Sequence, residues 1–174
     1  MIRAGIHSSA VLEFEGAIEF PESTVLEPLV VIFGGAEARL TLGLRNIFYP
    51  GCVVRIEKGY METGDEVSFG PGCHIYEPRA GLEIGHHCMI GGGTLISGVE
   101  HGYSRRDIPM RYQITDNKPV RIEDDVWIGM GVKLLPGITI GKGAIIGAGS
   151  VVTRSIPSYS IAMGSPCRVV RERE

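Results

Sequence analysis

Residues 122–157 read I-E-D-D-V-W, I-G-M-G-V-K, L-L-P-G-I-T, I-G-K-G-A-I, I-G-A-G-S-V, V-T-R-S-I-P, six units of six that follow one another without a slip. Ile122, Ile128, Leu134, Ile140, Ile146 and Val152 open the units; the second place favours Gly, and the fifth is small or β-branched. A period of six fits neither a helix face of 3.6 residues nor the plain alternation of a strand. An internal repeat of this kind predicts a solenoid, in which stacked coils bury a column that no single coil could bury alone. The expected fold is all-β, a parallel β-helix. A sandwich also strings short strands between Gly and Pro turns, but it has no reason to keep a period of six through 36 residues.

Working outward, the same unit returns upstream at Leu42, Phe48 and Val54, at Thr63, Phe69 and Ile75, and at Ile84, Ile90 and Ile96. Successive groups are shifted by 21 residues, three units plus three residues, so each coil has three sides and the cross-section is a triangle. The fifth residues, among them Cys88, Thr94, Val126, Val132, Ile138, Ala144 and Ser150, are expected to point inward beside a bend. Glycines 85, 91, 129, 141 and 147 hold the second place, where they are expected to relax the backbone at a turn. The stretch from Leu12 is patterned more loosely, with Ile18, Val25 and Val31 as its lumen positions, and is expected to add two coils. Each stacked Leu or Ile contributes roughly 1.5–3 kcal/mol before entropy is counted. Coils end to end therefore read as one domain, 1–174, with an insertion at 99–119 and a short C-terminal tail at 158–174.

A net charge of −3 argues against a nucleic-acid partner. No apolar run approaches the roughly 20 residues of a membrane span, and residues 1–12 lack the apolar core of a signal peptide. Cys52, Cys73, Cys88 and Cys167 are scattered without a C-x-x-C pair. The first three fall on fifth places, which suits a small buried residue better than a disulfide or a metal ligand. Adjacent His86 and His87 point in different directions from a solvent-facing corner, so no metal site is expected. The location expected is cytoplasmic and reducing.

Between Ile96 and Ile122 the register is lost, through E-H-G-Y-S-R-R-D-I-P-M-R-Y-Q-I-T-D-N-K-P at 100–119. A long loop on a regular scaffold is where function usually sits. His101 takes the last place of the Ile96 unit, so its backbone is held by the coil while its side chain can face a groove. A lone histidine can equally be a solvated residue; this position favours the functional reading. His74, which closes the Phe69 unit, is a further acceptor contact to consider.

The run D-D-V-W through S-I-P at 124–157, followed by A-M-G-S-P-C-R-V-V-R at 162–171, resembles the C-terminal half of hexapeptide-repeat acetyltransferases. It is most similar to the sugar O-acetyltransferases: the galactoside and maltose enzymes and those that decorate surface polysaccharides. The match covers about 84–171. The resemblance implies a left-handed parallel β-helix, a homotrimer with active sites between subunits, and acetyl-CoA as co-substrate. In that family a histidine at the start of the loop is the general base, and His101 in S-G-V-E-H-G-Y fits. Many relatives carry His-x-x-His or Asp-His-x-His here, whereas this chain has Gly98, Val99 and Glu100, and Glu100 would point to the opposite face of an extended chain. By the same resemblance the Gly129–Met130 peptide contacts the thioester oxygen. Trp127, Met130, Gly147, Ala148, Thr153 and Arg154 line the coenzyme site, and Arg168 and Arg171 meet its phosphates. Trp127 could instead brace the loop or a subunit contact, and Arg168 and Arg171 could belong to a solvated charged tail in which Glu172 and Glu174 are interleaved.

The chemistry agrees. Acetyl transfer from a thioester to a hydroxyl needs a base of near-neutral pKa, and imidazole supplies it without a covalent intermediate. Tyr76, Glu77 and Arg79 lie one coil before His101, and Tyr103, Arg105, Arg106 and Arg111 crowd the loop. They could bracket a sugar, an anionic glycan included; the loop could equally clasp the next subunit. The expected function is O-acetylation of a sugar, nucleotide sugar or surface glycan. The alternatives are transfer to an amino sugar's nitrogen or a non-catalytic scaffold; a hydratase on this fold would need converging histidines.

Overall fold

A computed structural model describes residues 5–174. Only two or three residues of each unit form a strand, because the chain bends before a third or fourth pair can form. Ile47–Phe48, Ser68–Phe69, Met89–Ile90, Trp127–Ile128 and Ile145–Ile146 stack in parallel as one side of the solenoid, called here face 1. His74–Tyr76, Leu95–Ser97, Lys133–Leu134 and Val151–Val152 build face 2. Leu82–Ile84, Val120–Ile122 and Thr139–Ile140 build face 3. In two earlier coils the strands Val31–Thr41 and Val53–Thr63 run around the corner, giving their first half to face 2 and their second to face 3. The result is a parallel β-solenoid of about seven turns with no α-helix among the described residues, the left-handed hexapeptide β-helix.

The lumen columns follow the period. Phe48, Phe69, Ile90, Ile128 and Ile146 line face 1, with the rings of Phe48 and Phe69 stacked at 4.4 Å. Val54, Ile75, Ile96, Leu134 and Val152 line face 2, and all are buried. The fifth places point inward as expected. Cys52, Cys73 and Thr94 donate to the carbonyls of Gly70, Gly91 and Gly129 in the following coil at 3.1, 3.2 and 3.3 Å. All four cysteines are free and buried, and burial pushes the Cys88 thiol up to about 11.

Four details depart from the sequence reading. Two coils do precede Leu42, but Leu26 pairs with Phe48 and Ile32 with Val54, so these two take the lumen positions expected of Val25 and Val31. Both neighbours in each pair are apolar, so the pattern could not choose a register that a one-residue slip reverses. Thr63 keeps its expected register beside Ile84 but is only half-buried, while Met61, two residues earlier, is buried in a second inward column with Leu40 and Leu82. The tail is a hairpin: Ser160–Gly164 pairs antiparallel with Cys167–Glu172 and covers the last edge of face 1.

The second-place glycines also serve another purpose than turning. A Cβ on Gly91 would lie 2.6 Å from Met130 N, and one on Gly129 2.6 Å from Ala148 N, so these positions are bare because the coils stack closely there. The left-handed backbone falls at the fourth place instead. Between faces 1 and 2 it is held by Gly72, Gly93, Gly131 and Gly149, and between faces 3 and 1 by Arg45, Glu66, His87 and Asp125 at φ 57, 58, 59 and 55°.

Candidate active site

Face 2 of the fifth coil ends at Ser97, and the chain leaves the solenoid there. Gly98 at the root admits no side chain: a Cβ would come within 2.4 Å of Pro78 Cα in the coil below. Val99–Glu100 then pairs antiparallel with Asp116–Asn117, and the Gly102 N–H donates to Ile114 O at 3.1 Å. The insertion is therefore a two-stranded ribbon, with His101 opposite Thr115. Because side chains alternate along a strand, Glu100 and Asp116 share one side of the ribbon and His101 takes the other, exposed to solvent. No hydrogen bond is made by the His101 ring among the described residues.

Beyond His101 the loop is shaped by Gln113, whose amide accepts from Arg105 N and donates to the carbonyls of Arg105 and Ile108. Arg105 is paired with Asp107, whose carboxyl it holds below the usual range, and Lys118 with Asp116. Arg106 and Arg111 are exposed and make no ion pair among the described residues. Tyr103, Met110, Tyr112 and Ile114 are exposed as well, Ile114 to 91%. A hollow of about 360 Å³ opens among Gly102, Ser104, Arg105, Ile108, Tyr112 and Gln113.

The residues expected on the donor side gather elsewhere. The Gly129 N–H is committed to Ile146 O at 2.8 Å. The N–H groups of Met130 and Ala148, one coil apart on the bend between faces 1 and 2, have no acceptor among the described residues, and both residues are exposed. The donor available in the Gly129–Met130 peptide is thus the Met130 N–H. Trp127 stands half exposed on the outer side of face 1, in register with Met89 and Ile145. Arg168 and Arg171 are exposed on the terminal hairpin beside that face, and Thr153 and Arg154 just past face 2.

Within one chain, then, His101 and the Met130–Ala148 edge leave from opposite margins of face 2. Of the expected acceptor residues, Tyr76 is half exposed, but Glu77 is only 2% exposed. Its carboxylate is held by the Nε atoms of Arg55 and Arg79, each at 3.3 Å, so it is not free to contact a sugar as the sequence suggested. Sequence reasoning missed Arg55, although it lies one 21-residue step before Tyr76 and pairs with it in register. His74 is exposed on the outer side of face 2. A larger groove of about 470 Å³ on face 3, among Glu83, His86, Arg121, Asp124 and Lys142, is filled with charges that pair with one another. No cluster of three or more metal-ligating side chains occurs among the described residues.

A triangular β-helix interrupted by one histidine-bearing loop defines a hexapeptide-repeat protein. Residues 119–154 match the family described as bacterial transferase hexapeptide (six repeats), over the stretch where the repeat runs without interruption. The chain is 40% identical over 114 residues to the galactoside O-acetyltransferase of Lactococcus lactis, covering 63% of this chain and 54% of that protein. In general the chain spans about half the length of the curated relatives it matches. Among solved structures, a point mutant of AntD, an N-acyltransferase from Bacillus cereus in complex with dTDP and coenzyme A, superposes with a TM-score of 0.66 at 20% identity, covering 97% of this chain and 80% of that one. The polySia-specific acetyltransferase NeuO gives 0.63 at 24% identity, covering 94% and 82%. At these identities the two structures establish the fold alone.

Proposed function

We propose that this protein is an acetyl-CoA-dependent O-acetyltransferase acting on a hydroxyl of a sugar, nucleotide sugar or surface glycan. The observation that carries the reading is His101, exposed on a ribbon rooted in the coil, with its ring left unengaged among the described residues. Its imidazole removes the acceptor's hydroxyl proton as the oxygen attacks the thioester carbonyl. The C–S bond then breaks, and the proton returns to the departing thiolate of coenzyme A. The Met130 N–H is the candidate donor to the developing oxyanion. Ala148 N–H offers a second contact along an extended pantetheine arm, flanked by Gly147 and Trp127, while Thr153, Arg154, Arg168 and Arg171 serve the nucleotide end.

The active unit we infer is a trimer of single-domain chains. Ile47, Met89, Trp127, Ile145 and Ile161 form a largely apolar column on the outside of face 1, interrupted by Ser68, and Val31, Val53, Leu95 and Val151 recur on the outside of face 2, where His74 and Lys133 stand between them. Face 3 is charged, with Arg39 paired to Glu62 and Arg121 to Glu83. Two adjacent apolar sides favour a head-to-tail contact, face 1 of one chain on face 2 of the next, which closes after three. That contact brings the loop of one chain towards the donor edge of its neighbour. The free thiols accord with a reducing, cytoplasmic setting.

Replacing His101 with Ala is expected to lower turnover by about 10²–10⁴-fold while coenzyme A binding and the trimer persist. Near-normal turnover in that variant would sink the proposal. The N-acyltransferase AntD motivates one other reading, transfer to an amino sugar; parallel assays with hydroxyl and amino acceptors separate the two.

A further inference from the structure

On the outer side of face 2, towards its border with face 3, Glu13, Phe33, Arg55, Tyr76 and Ser97 follow one another coil by coil in strand register. Ser97 is the last residue before the loop, so Arg55 lies two coils below the loop root, about 10 Å at the usual strand spacing. Three supports fix its side chain. The guanidinium lies over the Phe33 ring at 4.5 Å, its Nε faces Glu77 Oε1 at 3.3 Å, and Glu77 is itself buried against Arg79, which also binds Glu57 at 3.0 Å.

The two terminal amino groups of Arg55 make no ion pair or hydrogen bond among the described residues, and the side chain is 45% exposed. Glu77 is at once buried and held at φ 50°, a conformation that Gly would adopt freely. A corner that only needed to turn would require neither the charge nor the strain. What the arrangement provides is an arginine with its stem and Nε fixed and its planar fork left open, beside the half-exposed Tyr76 ring. Such a fork matches the two oxygens of a carboxylate or phosphate.

We propose that Arg55, oriented by Glu77 and Phe33, is an oxyanion subsite of the acceptor groove, and that the acceptor carries a carboxylate or phosphate roughly one to two sugar units away from the hydroxyl that reacts. The inference rests on the acetyltransferase reading and adds the acceptor's chemical class. Glu77 and Arg79 act through Arg55 as positioning residues. The local carboxylates Glu57 and Glu77 balance Arg55 and Arg79, so recognition comes from the geometry of the fork rather than from a broad positive field.

The test compares trigalacturonic acid with its carboxyl-reduced counterpart, and UDP-glucose with maltotriose, as acceptors for wild type, Arg55→Lys and Arg55→Gln. Wild type should favour one charged member over its neutral partner by about tenfold or more, as a bidentate charged contact would give. The pair that shows the preference tells carboxylate from phosphate. Arg55→Lys keeps a cation against Glu77 but loses the fork, and should remove most of the preference; Arg55→Gln should bring the ratio near one, with the KM for acetyl-CoA unmoved. No preference in wild type, or one that survives both substitutions, overturns the subsite. If no acceptor is acetylated the transferase reading fails by itself. Calorimetric titration of the same four compounds then decides the subsite: charged compounds bound more tightly by wild type than by the variants support it, and equal or absent binding refutes it.

Discussion

At the scale of single residues, two glycines two positions apart illustrate how the repeat uses the same amino acid for different reasons. Gly129 has ordinary backbone angles, but a Cβ there would meet Ala148 N at 2.6 Å and Ile146 O at 2.8 Å. Gly131 has φ 68° and nothing within 4 Å of an added Cβ. The first is required by packing and the second by conformation. Asn tolerates left-handed angles, so Gly131→Asn should shift the unfolding midpoint little, whereas Gly129→Asn forces neighbouring backbone apart and should cost about 1–3 kcal/mol. Denaturant unfolding of both variants checks this; equal losses would mean that the two positions are not distinguished in this way. The sequence showed which places hold glycine but not why, because the close approach involves a residue in the next coil. Glu77 is a similar case: as a letter beside Tyr76 it suggests a sugar contact, and only the register reveals Arg55 and Arg79 around it.

The element that the sequence described least is the bend between faces 3 and 1, where side chains rather than strands link the coils. Asp65 accepts from Leu44 N at 2.7 Å, and Asp124 from His86 N at 3.0 Å. Arg45 donates to Glu66 at 2.8 Å, and Glu66 also meets His87 Nδ1 at 3.0 Å. The His86 N–H is the largest cause holding the Asp124 carboxyl below its usual range; Arg45 does the same for Glu66, and Arg121 for Glu83 on face 3. A carboxyl lowered on folding adds stability above its unfolded pKa, ordinarily 3.8 for Asp and 4.5 for Glu, and that stability is lost as pH falls through the folded value. Thermal midpoints should therefore change little from pH 7 to 5 on account of these groups and fall below about pH 4. Asp124→Asn should flatten part of that fall, and salt should weaken the share from the exposed Arg45–Glu66 pair. A fall of the same steepness in Asp124→Asn would exclude this carboxylate as a contributor. The strands themselves were legible from the period, since the lumen residues from Leu42 to Val152, the half-buried Thr63 apart, are buried where it put them. Where neighbouring residues are both apolar, as at Val25–Leu26 and Val31–Ile32, the period lost its power to choose, and pairing with Phe48 and Val54 decided the register.

For the molecule as a whole, the legible part of the candidate site was the interruption at His101, because a broken repeat is visible without knowing what any residue touches. The spatial relation of His101 to the donor residues was not, since it depends on which corner each unit occupies and on a neighbour that one sequence does not contain. His101 leaves the margin between faces 2 and 3, whereas Met130 and Ala148 lie on the bend between faces 1 and 2. A head-to-tail ring in which each loop serves the adjoining chain makes a quantitative demand on mixed assemblies. Ala148 is exposed, so Ala148→Trp should obstruct the proposed donor groove without disturbing the lumen, and His101→Ala removes the proposed base; each variant alone should be nearly inactive. When equal amounts are unfolded and reassembled together, a site is complete only where an intact loop meets an intact donor edge on the next chain. Random mixing makes that combination in about one interface in four, so activity should return to about a quarter of wild type. Recovery without co-assembly would point to an artefact of subunit exchange with residual wild type, which a mock mixture of each variant with itself detects. If the mixed assembly stays as inactive as its parents, loop and donor edge belong to the same chain, and the head-to-tail arrangement argued from the two apolar faces is wrong.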